Sequence, residues 1–126
     1  MEEILKSTNW GDAVDKLNSN FNDVNKITDI DTSAVTAYTV LITDYFIAVD
    51  TTTDACTLTL ATALQVDGKN YVIKDAGFNA GTNNITVETE AAADLIDGSA
   101  DDLVITSNSD AINIKWNAAV DSWLIW

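Results

Sequence analysis

The sequence predicts a mainly β protein: an N-terminal α-helix of coiled-coil type over 9–28, followed by a small antiparallel β-sandwich or barrel head over 29–126. Two observations carry this. From Asn9 to Ile27, apolar residues fall at Trp10, Val14, Leu17, Phe21 and Val24, and that spacing makes one narrow stripe along a helix, the geometry of a coiled-coil seam. After it come about eight short alternating runs separated by turn residues, the pattern of a sandwich or barrel. At 126 residues the chain holds one such domain with a modest core and no second one.

Residues 1–8 form a short lead that serves as an attachment peptide, with Ile4 and Leu5 as a small anchor. Asn9 caps the helix, and Asp12 meets the positive end of its dipole. Asp12 with Lys16 and Asp23 with Lys26 are outward pairs of a few tenths of a kcal/mol each. Gly11 costs roughly 1 kcal/mol against alanine, so a helix of this length must pack on something. With Val14 and Phe21 at a positions and Trp10, Leu17 and Val24 at d, the flanking positions are uncharged, which favours self-association over pairing with a different chain. The competing arrangement lays the helix across its own β domain.

The turn-forming residues from Asp29 to Ser33 mark the junction. Strand runs then follow at Tyr38-Val40-Ile42, Tyr45-Ile47-Val49, Cys56-Leu58-Leu60 and Tyr71 to Ile73. Asp67-Gly68 is a tight-turn signal ahead of Tyr71. The segment Asp75 to Asn84 is rich in residues that tolerate positive φ. Ile85 and Val87, Leu103 to Ile105, Ala111 to Trp116 and Ser122 to Trp126 complete the set, with a second turn at Asp97-Gly98.

Charge and composition exclude several functions. The formal charge is −14, from 20 acidic residues against 6 lysines, with neither arginine nor histidine. A chain of this kind has no basic face for nucleic acid or anionic membrane. No apolar run approaches the ~20 residues of a membrane helix, and MEEILKS has neither a basic n-region nor an apolar h-region, so synthesis and folding in a cytoplasm are expected. The single Cys56 alternates with Leu58 and Leu60 and reads as a small buried hydrophobe.

Each chemistry that the residues offer has a simpler reading beside it. Asp50 with Asp54, or Glu88 with Glu90, could form a glycosidase pair, but acidic residues are everywhere and no histidine is present to build the common nucleophile–base pairs. The chain is therefore read as a non-enzyme that needs no cofactor. Asp94, Asp97, Asp101 and Asp102 surround a turn where calcium takes oxygens, yet their spacing fits no known loop and Asx-turn chemistry accounts for them, so no metal is assigned. Trp116, Trp123 and Trp126 invite sugar stacking. Bulky groups on both faces of the last strand point equally to a domain core and an intersubunit contact. The candidate recognition surface is the loop Asp75 to Asn84, with Phe78, Asn79 and Asn83 as ligand-contacting residues.

The order Asp44-Tyr45-Phe46-Ile47-Ala48-Val49-Asp50, Thr57-Leu58-Thr59-Leu60, Gly68, Tyr71-Val72-Ile73-Lys74-Asp75, Asn79-Ala80, Asn83-Asn84-Ile85-Thr86-Val87 and Ile96-Asp97-Gly98 resembles the small β domain of tailed-phage fibres and spikes. The resemblance covers roughly Tyr38 to Trp126. Trp10, Ala13, Leu17-Asn18 and Asn20-Phe21 are similar to the trimerising helix that often precedes that domain. Ala61 stands where such domains tend to have proline.

The resemblance implies a homotrimeric virion protein, with Trp10, Val14, Leu17, Phe21 and Val24 as its trimer seam. Its N-terminus would grip other virion proteins and its head would meet a host-surface glycan or protein. Two seats fit, a tail fibre or spike and a capsid head fibre or decoration protein, because a short lead suffices to grip a capsid. A carbohydrate-binding module is the alternative of another class.

Overall fold

The computed structural model describes Val14 and residues 26–126. Nine strands run through the described residues: β1 Ile27–Asp31, β2 Ala37–Thr39, β3 Phe46–Asp50, β4 Cys56–Leu60, β5 Asn70–Asp75, β6 Ile85–Thr89, β7 Leu103–Ile105, β8 Ala111–Asn117 and β9 Ser122–Ile125. They form a five-stranded sheet of order β1-β3-β5-β8-β9 and a four-stranded sheet of order β2-β4-β6-β7.

The expected antiparallel head is corrected. The first six strands alternate between the sheets, and β3, β4, β5 and β6 each pair in parallel with the strand two before it. This is a two-sheeted solenoid of three coils, in which the crossover between parallel neighbours is a strand of the opposite sheet. Antiparallel pairs then close the far end, β7 on β6, β8 on β5 and β9 on β8. Both sheets are mixed. Inward and outward residues alternate with period two whichever way a strand runs, so periodicity alone does not reveal direction.

The expected coiled-coil helix is not seen. Among the described residues the one helical element is the short 3₁₀ turn Thr62–Leu64. Val14 is helical and half-buried, while Trp10, Leu17, Phe21 and Val24 lie outside the described residues. The end of the expected helix is corrected directly, because Ile27 and Thr28 pair with Phe46 and Ile47 as an edge strand. The junction expected from Asp29 to Ser33 is thus mostly strand.

The core lies between the sheets. Ile30, Ile47, Val49 and Ile73 meet Cys56, Leu58, Leu60, Ile85 and Val87 across it, each buried aliphatic side chain contributing about 1.5–3 kcal/mol. At the closing end Trp123 packs edge-on against Trp116 with centroids 5.5 Å apart, and tilted against Tyr71 at 5.9 Å. Such pairs add about 0.5–1.5 kcal/mol beyond the area they bury.

Successive coils are tied at a repeated corner. Thr32 and Thr51 are buried and follow the paired residues Asp31 and Asp50. Thr32 donates its hydroxyl to the Asp50 carbonyl at 2.6 Å and accepts the Asp54 amide at 3.0 Å. Thr51 repeats this one coil on, donating to Asp75 at 2.6 Å and accepting the Asn79 amide at 3.1 Å. Gly77 lies at the next corner. A Cβ there would collide with the Thr51 backbone nitrogen and stand 2.8 Å from that of Thr52, so no other residue fits.

Candidate functional site

The sequence-predicted recognition loop is largely structural. The Asn79 carbonyl accepts the amides of Thr82 and Asn83 at 3.0 and 2.9 Å, and the Asn83 side-chain amide donates to the Thr51 carbonyl at 2.7 Å. Both asparagines brace the loop against the corner below. Phe78 alone points outward, 62% exposed, with φ at 58°. One exposed ring in a strained backbone position holds no converging polar groups.

The other sequence candidates are dispersed. Asp94 accepts the Thr62 hydroxyl at 3.0 Å, Asp97 accepts the Ile125 amide at 2.9 Å, and Asp101 accepts the Ser99 hydroxyl at 3.1 Å. Each caps its own piece of backbone, and no group of three or more metal-ligating side chains converges among the described residues. Of the carboxylate pairs, Glu88 accepts the Thr59 hydroxyl at 2.9 Å and Glu90 the Thr62 amide at 2.8 Å. Asp50 accepts the Thr52 amide at 3.0 Å, and Asp54 donates its amide to Thr32.

Two buried carboxylates hold loops. Asp44 accepts the Tyr38 and Thr28 hydroxyls at 2.8 and 2.7 Å and the Leu41 amide at 2.8 Å. Burial, reinforced by the Asp44 contact, raises the Tyr38 phenol to about 12. Lys69 donates to the carbonyls of Ile42 and Asp44 at 2.7 and 3.1 Å and lies 4.7 Å from the Tyr71 ring centroid. Burial lowers its pKa, and the Asp44 charge opposes that shift.

Asp75 is fully buried. Beside the Thr51 hydroxyl it accepts the amides of Ala80 and Ser109 at 3.0 and 2.9 Å. Burial pushes its pKa up, but those bonds, with that of the Gly77 amide, outweigh it and hold the carboxyl below its ordinary value. These groups have no capacity left for a ligand.

A different place has that capacity. The turn before β5 and the outer face of β8 and β9 enclose an open groove of about 490 Å³, within the roughly 300–1,000 Å³ of small-molecule sites. Asp67 and Gly68 form one wall. Lys115, Asn117, Leu124 and Trp126 line the rest, with Trp116 and Ile125 at its base. Gly68 has φ at 81° and the Lys69 amide returns to the Val66 carbonyl at 2.8 Å, so Asp67-Gly68 is a tight turn feeding a sheet crossover.

Register explains the convergence. Lys115 pairs with Leu124 and Asn117 with Ser122 across the β8–β9 hairpin, and the Trp126 amide continues the ladder to the Asn113 carbonyl at 3.1 Å. Lys115, Leu124 and Trp126 therefore share the outer face. The Lys115 ammonium lies 5.0 Å from the Trp126 ring centroid, close enough to hold the ring by cation–π attraction. Trp126 is nevertheless 69% exposed.

The sequence matches no family model and no curated protein. The groove is therefore read on its own chemistry. Asp67 accepts the Ala118 amide through one oxygen at 3.1 Å, and Asn117 accepts the Ala119 amide through its carbonyl at 2.9 Å. The second Asp67 oxygen and the Asn117 NH₂ make no hydrogen bond with the described residues. An acceptor, a donor and an open indole thus face one space.

Of these residues, sequence reasoning singles out Trp126 and Trp116 as sugar-stacking candidates and misses Asp67, Lys115, Asn117 and Leu124. A signal does exist for Lys115 and Leu124, since they have the same inward–outward parity as Trp126 in a hairpin. Asp67 carries none beyond its role in a turn.

Proposed function

We propose that the chain is a non-enzymatic virion protein of a tailed bacteriophage, assembled as a homotrimer and attached through its N-terminal residues, that presents its β domain to the host surface. The observation that supports this reading is the polarity of the fold. The described chain enters at β1, one edge of the five-stranded sheet, and the groove lies at β9, the opposite edge. Four strand spacings of about 4.8 Å separate them, roughly 19 Å. A protein anchored at its N-terminus and recognising a surface ahead of it needs this arrangement. The resemblance of Tyr38 to Trp126 to small phage-fibre domains supplies the setting.

The decisive experiment images virions carrying a gold label against this chain by cryo-electron microscopy, with solution mass measured on the isolated protein. Label on the tail or on the head, together with a three-chain mass, supports the reading and assigns the seat as fibre or decoration protein. Unlabelled particles, or a monomer at micromolar concentration, refute it. The exposed Trp126 groove favours one other reading, a carbohydrate-binding module outside any virion, which requires neither particle nor trimer.

A further inference from the structure

The geometry points to a binding site for a neutral pyranose in the β8–β9 groove, stacked on Trp126. The inference rests on the host-surface reading for its biological setting, and the groove itself supplies the chemistry. One side of the indole is held by Lys115 at 5.0 Å, while 69% of the residue stays open to solvent. The face of an aromatic ring is its electron-rich side, and the C–H groups along one face of a pyranose carry the complementary partial charge. Leu124 beside it extends the apolar floor.

The polar groups match a sugar's edge. A hydroxyl both donates and accepts, whereas an ionised carboxylate only accepts and a carboxamide NH₂ only donates. Asp67 has one oxygen fixed by the Ala118 amide, which aims the other, and Asn117 has its carbonyl fixed by the Ala119 amide, which leaves its NH₂ free. Two neighbouring sugar hydroxyls satisfy both at once. The sugar is neutral because Asp67 stands at the wall of the groove and the chain carries a net charge of −14, so an anionic saccharide or nucleic acid is repelled. A single ring in an open groove binds weakly, with a dissociation constant on the order of a millimolar, and a trimer multiplies the contact through avidity.

The test titrates the 126-residue chain with methyl β-glucoside, methyl β-galactoside, methyl α-mannoside and N-acetylglucosamine, each to tens of millimolar, following amide and indole N–H resonances. The expected result is saturable movement of the Trp126 indole N–H, the Asn117 side-chain amide and the Gly68 and Ala118 backbone amides with at least one sugar. Trp126→Ala should weaken binding at least about tenfold and Asp67→Asn about three- to tenfold, while Trp126→Phe stays within about threefold of the parent, since it keeps an aromatic face. Phe78→Ala should leave binding unchanged. No saturable shift with any of the four sugars, or undiminished binding by a folded Trp126→Ala protein, would overturn the site. Labelled particles whose purified chain binds no sugar overturn this inference alone. Sugar binding by a chain absent from particles overturns only the virion reading.

Discussion

Asp75 closes strand β5 and Asp67 lies in the turn that opens it, yet the two carboxylates have opposite surroundings. Asp75 is fully buried and takes donors from Thr51, Ala80 and Ser109. Asp67 is exposed and takes one, from Ala118. The first stitches coil to coil; the second has an oxygen to offer. In a chain with 20 acidic residues, counting carboxylates says little. How many donors each already accepts separates framework from site.

The contrast breaks most visibly at Asp75. Asp75→Ala leaves the Thr51 hydroxyl and the amides of Ala80 and Ser109 buried without an acceptor, so a loss of about 3–5 kcal/mol is expected. Urea denaturation followed by tryptophan fluorescence measures it. A loss below about 1 kcal/mol would mean that water replaces the carboxylate and that the corner is not closed. The same substitution at Asp67 removes a single exposed bond and should cost less than about 1 kcal/mol.

Gly77→Ala comes next. The added methyl meets the backbone of Thr51 and Thr52, and a backbone contact has no flexible end to swing aside. A loss of about 2–4 kcal/mol is expected from forced overpacking. Gly68→Ala, with open space around its Cβ and φ at 81°, should cost only the left-handed backbone penalty of roughly 1–2 kcal/mol. Equal losses at the two glycines would remove the distinction between a packed corner and an open turn.

Much of this framework is legible in the amino-acid order. The alternation in Cys56-Leu58-Leu60 and Ile85-Val87 marks the inward residues correctly, because a half-buried strand shows period two whatever its partner. Asp97-Gly98 is the tight turn its residues suggest, with both at positive φ and Ile96 and Ser99 exchanging amide–carbonyl bonds. Asp67-Gly68 has the same letters, but there only Gly68 is at positive φ and the strand that follows crosses to the other sheet. Strand direction is hidden because a solenoid corner and a hairpin turn draw on the same residues. β1 is hidden because it is an edge strand with Ile30 as its only fully buried side chain, and its aspartates read as breakers. The corner repeat is hidden because Thr32 and Thr51 share it while the third coil replaces threonine with Gly77. The groove is least legible, being made by residues far apart in sequence that only the β5–β8–β9 pairing brings together.

Acid sharpens the comparison at smaller amplitude. The folded pKa of Asp75 lies below its ordinary value of 3.8. Its ionised form therefore contributes stability that is present above the unfolded value and disappears as pH falls through the folded one. Asp75→Asn should flatten the stability profile below about pH 4, measured as urea midpoints between pH 5 and pH 2. At the other extreme, the Tyr38 pKa raised to about 12 makes its contribution complete below the unfolded value of 10.0 and lost as pH rises toward 12. Tyr38→Phe should remove that alkaline step. An unchanged profile in either variant would assign the limb to other groups.

The smallest expected effect is on the tryptophans of β9, and it divides framework from site within one strand. Trp123 is fully buried between Tyr71 and Trp116, so Trp123→Ala opens a cavity and belongs with the costly variants at about 3–5 kcal/mol. Trp126 follows three residues later on the opposite face. Its ladder bond to Asn113 is made by the backbone amide and survives truncation of the side chain. What Trp126→Ala loses is an exposed ring and its Lys115 contact, worth about 0.5–1 kcal/mol. A urea midpoint close to the parent's is expected, and it would leave any loss of ligand by this variant attributable to the ring. A loss above about 2 kcal/mol would instead show that Trp126 is covered in the assembled protein, by a second copy or by the chain's own N-terminal residues, and would convert the groove from a site into an interface.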